Sequence, residues 1–315
     1  MAKKFDGTTW PEGGVAVIPH GRVLDEHAWP VGQADTFLYE FGYLGERPIC
    51  PIYLITRLQN PVRLQGSALN LGTCWAAINY GHFLLDALPR LEFFRRAGFS
   101  LDQIDHLIIP RFQGPSAAKI LERLGFPTAK LLRPERGVQY EFDVLYQPSY
   151  PGSSAYYRPM MAEFYRGPEF GASTAKPYRR LYVPRRGGTR QISNEPEIAT
   201  VLAAHGFETV DFRAISDDCA YFREAEVVIG PHGAGLANVV FCQPGATLIE
   251  LLPHNHLFPF YYSAACAGSL KYWTLLGRAD GPEYTHDFAP PSDANFRVDP
   301  QELKDVLATA LGTPS

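Results

Sequence analysis

The stretch Ile229-Gly-Pro-His-Gly-Ala-Gly-Leu-Ala-Asn238 decides how the fold is read. It follows the apolar run Val227-Val-Ile229, a strand by its composition, and leads into Leu236 to Phe241, a helical pattern. A glycine-rich turn from strand to helix is the connection of an open α/β sheet, and such sheets take ligands outside the carboxyl ends of their strands. Gly230, Gly233 and Gly235 clear side chains from the turn, so backbone N–H groups can approach an anion at the helix N-terminus. His232 adds a side-chain donor. The same spacing also suits a plain tight turn, and it matches neither the dinucleotide fingerprint nor a Walker loop.

Working outward, the same alternation continues. Arg180 to Val183 reads as a strand and Pro196 to His205 as a helix stopped by Gly206, while Thr247 to Leu251 and Tyr272 to Leu276 read as further strands. Asp217 to Arg223 and Gln301 to Leu311 suit helices. Upstream, Leu84, Ala87, Leu88, Leu91 and Phe94 recur at helical spacing within Asn79 to Ala97, which ends at Gly98. Leu107 to Ile109, Ser116 to Leu124 and Val144 to Tyr146 give strand, helix and strand. Before them, Val15 to Ile18, Thr36 to Tyr39 and Val62 to Gly66 are short apolar runs broken by turn residues, which predicts extra N-terminal β-strands. The Pro-, Gly-, Ser- and Tyr-rich stretch from Pro148 to Pro177 is where the chain should cross between lobes.

A chain of 315 residues exceeds the size at which one core keeps growing, so two lobes are expected. The assigned bounds are 1–170, 171–298 and a closing helix, 299–315, expected to pack back on the first lobe. A net charge of -4 gives no basic surface for a nucleic-acid partner. Cys50, Cys74, Cys219, Cys242 and Cys266 form neither a C-x-x-C pair nor an even set, which points away from a disulfide framework and towards a reducing compartment. Met1 to Asp6 meets polar residues instead of an apolar run, and no stretch suits a membrane span, so the expectation is a cytoplasmic protein that visits a membrane surface only peripherally.

Three further groups can carry chemistry. Tyr182-Val-Pro-Arg-Arg-Gly-Gly-Thr-Arg190 follows a strand and offers Arg185 and Arg190 as planar clamps for a diphosphate. His82 and Asp86, four apart, share a helix face offset from the Leu84, Leu88, Leu91 stripe, and either of them can serve as a general base. The same spacing fits a structural hydrogen bond in the wall of the lobe. Glu250 ends an apolar strand, where an acidic side chain can accept from ribose hydroxyls or simply close the strand. No Asp-x-Asp occurs, and no histidine pair comes with a third ligand at metal spacing, so neither a metal nor another cofactor is expected.

In order, Asn79-Tyr-x-His-x-x-x-Asp86 with Pro89-Arg90, Tyr182-x-x-Arg185 with Arg190 and Asn194-Glu195, and Gly230-Pro-His-Gly-Ala-Gly-Leu-x-Asn238 through Pro244-Gly-x-x-x-Ile-Glu250 resemble the pattern of glycosyltransferase family 61. The likeness runs from about Asn79 to Leu252, and Pro184 stands where the family often shows serine. The resemblance implies a GT-B fold of two Rossmann-like lobes facing across a cleft, and inverting transfer from a UDP-sugar to a glycan or glycoconjugate hydroxyl, as in surface polysaccharide synthesis. It implies that Arg185, Arg190, Asn194, Pro231, His232, Gly233, Ala234, Gly235 and Glu250 surround the donor nucleotide, with His82, Asp86 and Asn79 on the acceptor side. A polysaccharide-modifying transferase with another phosphorylated donor, or an inactive nucleotide- or glycan-binding protein, are the competing expectations.

Overall fold

The computed structural model describes residues 13–38, 58–73, 75–109, 115–153, 156–171, 175–279 and 294–312. Expectations for Met1 to Asp6, Tyr39, Cys50 and Cys74 fall outside them. The described residues form two compact units, one up to Phe164 and one from Tyr165 onward. Among them, no helix is long and apolar enough to cross a membrane.

The first unit is built on a seven-stranded mixed sheet. Its strands are β1 (Val15–Pro19), β2 (Arg22–Leu24), β3 (Trp29–Val31), β4 (Val62–Asn70), β5 (His106–Ile108), β6 (Leu131–Leu132) and β7 (Gln139–Pro148). The order is β3-β2-β7-β4-β5-β6, with β1 also antiparallel to β7. The N-terminal strands therefore extend the α/β sheet instead of forming a separate layer. The expected strand at Thr36 is reduced to a single bridge between Val31 and Phe37. Strands β4, β5, β6 and β7 are parallel, and counted along the chain they lie 3-2-1-4, the half-sheet order of doubly wound folds. Val23, Ala68, Ile108, Phe142 and Leu145 form a core on this sheet.

The long helix read from Asn79 to Ala97 is interrupted. It comprises α1 (Tyr80–His82), a π-helical turn over Phe83–Ala87 and α2 (Arg90–Arg96). The i to i+5 bond from Leu88 N–H to Phe83 O, and Pro89 after it, mark the break, and such turns occur frequently at functional sites. Leu84, Ala87, Leu88, Leu91 and Phe94 are all buried, as their spacing predicts.

Arg90, the first residue of α2, is fully buried. It donates to Gly72 O and Pro148 O, both at 2.6 Å, and its guanidinium lies 4.7 Å from the Tyr150 ring centroid. Burial pushes its pKa below the ordinary value, with Tyr150 and Asp86 opposing that shift. One side chain thus ties the segment after β4 to the end of β7. Replacing Arg90 with leucine leaves two carbonyls unpaired, at about 1–3 kcal/mol each. Urea denaturation should show the variant destabilised by roughly 3 kcal/mol at unchanged m.

Short elements follow in the expected crossover: α3 (Pro115–Arg123) precedes it, and the hairpin β8 (Gly152–Ser153) with β9 (Tyr156–Tyr157) and α4 (Pro159–Phe164) occupy it. The second unit holds a six-stranded sheet of β10 (Arg179–Tyr182), β11 (Glu208–Thr209), β12 (Ala225–Pro231), β13 (Thr247–Pro253), β14 (Lys271–Ala279) and β15 (Phe296–Arg297). The order is β11-β10-β12-β13-β14-β15, parallel except for β15. In chain order the five parallel strands lie 2-1-3-4-5, the flavodoxin-like version of the doubly wound sheet. Its helices are α5 (Glu195–Ala204), α6 (Asp218–Arg223), α7 (Phe260–Gly268) and α8 (Pro300–Leu311).

The segment after the glycine turn is a 3-10 helix over Ala234–Phe241. Ile198 and Leu202 of α5 and Leu303 and Leu307 of α8 share a core with Ile229, Ile249, Leu251 and Leu275. The closing helix therefore belongs to the second unit, against the expectation that it would return to the first. Its apolar stripe fits the uncovered apolar side chains of the strands nearest to it in sequence. Helix α7, with its run of Phe, Tyr and Ala and no N-cap bond, was not anticipated.

Candidate functional site

In a 2-1-3-4-5 sheet the chain reverses direction between the first and third strands, and the crevice at their carboxyl ends is the usual ligand position. Here these strands are β10 and β12. The loop after β10 carries Arg185 and Arg190, and the one after β12 carries His232 and Gly233. The two loops meet: Arg185 Nη1 donates to His232 O at 3.2 Å, and Arg185 Nε donates to Thr189 O. Gly233 has an extended backbone, φ 175°, that any residue adopts. A Cβ there would overlap the Arg185 guanidinium.

His232 is fixed from behind. Its Nδ1 lies 2.5 Å from Glu250 Oε1, and Tyr272 OH donates to Glu250 Oε2 at 2.6 Å. Burial, then the charge of Glu250, push the Tyr272 pKa up, which keeps that hydroxyl a donor. A carboxylate accepts only, so the short contact puts a proton on Nδ1 and leaves Nε2 as the ring atom that can face a ligand. Glu250 has no exposed surface. Its two oxygens meet His232 and Tyr272. Tyr261 OH donates to Gly233 O at 2.5 Å and fixes the same turn from α7.

Arg190 adopts φ 57°, uncommon for a residue with a side chain. Its Nη1 lies 2.9 Å from His256 Nε2, and the His256 ring packs against His232 at 4.9 Å between centroids. Arg186, the third guanidinium of the loop, is paired with Glu195 at 3.0 Å. Asn194, expected in the donor set, has a structural position. It is buried, donates to Val298 O at 2.8 Å and accepts from Val298 N–H at 3.1 Å. Its amide copies a strand pairing and holds the start of α5 to the segment entering α8. Pro231 ends β12 opposite Leu251, and Ala234 and Gly235 begin the 3-10 helix.

In the first unit, His82 and Asp86 do meet. His82 Nδ1 lies 2.5 Å from Asp86 Oδ2, and Tyr157 OH donates to Asp86 Oδ1 at 2.8 Å. The Trp75 ring stacks on His82, with centroids 6.0 Å apart. Asp86 is buried, like the leucine stripe from which its face is offset, because the whole π turn is drawn into the core. His82 keeps part of its surface exposed, whereas Asp86 is almost wholly buried behind it. Asn79 caps α1 by accepting from Gly81 N–H at 2.8 Å.

Tyr157, His256, Tyr261 and Tyr272 were not singled out for these roles. Tyr157 and Tyr261 are buried, whereas Tyr156 and Tyr262 are exposed. A grouping that spacing also missed is Asp25, Glu26 and His27, whose ligand atoms lie within 4.8 Å of one another in the first unit.

Residues 80–249 match the family model described as Glycosyltransferase 61. Among characterised proteins, an alpha-1,3-arabinosyltransferase of Oryza sativa subsp. japonica, XAT3, is 39% identical over 83 residues, 25% of this chain and 14% of the relative. A second from that species, XAT2, is 39% identical over 88 residues, 26% of this chain and 15% of the relative. Its beta-1,2-xylosyltransferase XAX1 is 30% identical over 81 residues, 25% and 14% of the two chains. The similarity to these relatives thus spans about one seventh of their length. The family model covers more than half of this chain and takes in His82, Asp86, Arg185, Arg190 and His232, so the chain belongs to glycosyltransferase family 61.

Proposed function

We propose that the protein is an inverting, metal-independent glycosyltransferase that moves a sugar from a UDP-sugar to a glycan hydroxyl. The observation that carries this reading is the contact of Arg185 with the His232 main chain at the switch point of a doubly wound sheet. Guanidinium groups, an imidazole and a glycine turn gathered there suit a diphosphate. The arabinosyl and xylosyl activities in the relatives' names favour a pentosyl donor. A GT-B arrangement, in which the second unit holds the donor and the first serves the acceptor, is part of the same proposal.

In one displacement the acceptor oxygen attacks the anomeric carbon, its proton passes to His82 Nε2, and the bond to the diphosphate breaks. Asp86, gripped by Tyr157, holds the imidazole through Nδ1 and stabilises the imidazolium that forms. Arg185, Arg190 and His232 take up the charge that collects on the departing diphosphate.

Ligand-dependent thermal unfolding tests the donor site. UDP at about 100 times its Kd should stabilise the protein by roughly 2.7 kcal/mol. An unchanged transition with UDP, together with a shift by phosphoenolpyruvate, would replace this reading with that of another phosphorylated donor.

A further inference from the structure

Leu257, Phe258 and Pro259 form an exposed apolar run in the turn between β13 and α7. Consecutive apolar side chains on a water-facing surface are a fault unless they serve a function, and a patch of them marks a place where something binds. Their position in the sheet narrows what that is. Strand β13 lies beside β12 and runs parallel to it, so this turn stands at the same carboxyl edge as the glycine loop, one strand further along.

Phe258 is the member of the run that reaches the donor site. Its ring centroid lies 6.5 Å from that of His232, with the planes at 88°. It also lies nearly parallel to the buried Phe260, at 6.3 Å, and Phe260 packs edge-on against Tyr261, whose hydroxyl fixes Gly233 O. A packed series of rings therefore carries Phe258 outward from the glycine turn, and it remains 36% exposed at the end of that series. On the side of the turn towards β11, Phe212 is spent differently: it is half-buried, stacked on the buried Phe222 at 6.0 Å and set against Gly235. Phe258 keeps ring surface that packing inside the unit does not use.

We propose that Phe258 is the platform on which the nucleobase of the donor stacks. With the diphosphate at Arg185 and His232, a base on the open surface of Phe258 is separated from it by the ribose, and the nucleotide lies across the carboxyl ends of β12 and β13. Every base has a π face, so such a platform holds a nucleobase without choosing among bases. This rests on the donor-site reading above, and deepens it by giving the nucleoside half of the donor a place that the charged residues leave unassigned.

Calorimetric titration of the full chain with UDP and with inorganic pyrophosphate tests this. Phe258→Ala should raise the Kd for UDP by about 5- to 150-fold, the worth of one base on an aromatic ring, and leave the Kd for pyrophosphate unchanged. Phe258→Trp should keep the affinity for UDP. An unchanged Kd for UDP in the alanine variant overturns the proposal while leaving the donor site intact, and so does an unchanged Kd joined to a raised KM for the UDP-sugar, which would give the ring to the transferred sugar. Equal losses for UDP and pyrophosphate also overturn it, since the ring would then only prop His232. A wild type that binds no UDP overturns the donor-site reading itself, and this one with it. Should the alanine variant fail to fold, the tryptophan variant decides: the emission added by its new indole should fall on titration with UDP and not with pyrophosphate, and an indole indifferent to UDP overturns the proposal.

Discussion

Replacing Arg185 with alanine lowers kcat for transfer from a UDP-sugar by about 10²–10³-fold while the protein stays folded, which is the expected loss for a preorganised donor removed from developing charge. Arg185 is half-buried and donates to the main-chain carbonyls of Thr189 and His232, neither of which carries a charge that its loss would strand. The effect should therefore appear in steady-state kinetics and not in the unfolding curve. Activity that survives intact would dismantle the clamp. The glycine at 233 supports the expectation from the other side, since a Cβ there would press on the guanidinium in its present place.

His82→Gln should cost about 10²–10⁴-fold in kcat, the range for a lost general base, and leave UDP affinity unchanged. Glutamine retains an N–H donor for Asp86, so the buried carboxylate keeps both its partners and the fold survives. What is lost is the nitrogen that receives the acceptor's proton. Titration of UDP against the variant, beside its turnover, separates the two units' contributions: a variant that binds UDP normally and turns over slowly fits the assignment. Normal turnover would return His82 and Asp86 to a structural hydrogen bond.

Arg185, His232 and Glu250 are legible in the sequence because each stands at the carboxyl end of an apolar run, where a doubly wound sheet must expose its crevice. The strands themselves are legible for the same reason. Tyr272 is not, since a tyrosine in mid-strand reads as core filler. Only the register that pairs Tyr272 with Leu248 sets it diagonally across from Glu250. Tyr157 lies 71 positions from Asp86, and Asn194 reaches a partner 104 positions away, distances over which no local periodicity carries information. His256 sits in a turn among Asn, Leu, Phe and Pro, without a period to mark it. The π turn is a case of tertiary packing overriding local preference: its apolar spacing is helical, and only Pro89 hints at a break.

Both units bury a carboxylate between a tyrosine hydroxyl and the Nδ1 edge of a histidine. An acid held this way depends on its imidazole as much as the imidazole depends on it. Drift to a non-functional copy is therefore not a one-letter event: losing either histidine to a residue without a donor strands a charge in the protein interior, and the lineage pays in folding before it is relieved of chemistry. Descendants that have abandoned catalysis should accordingly show the imidazole and its acid replaced together, often with the tyrosine.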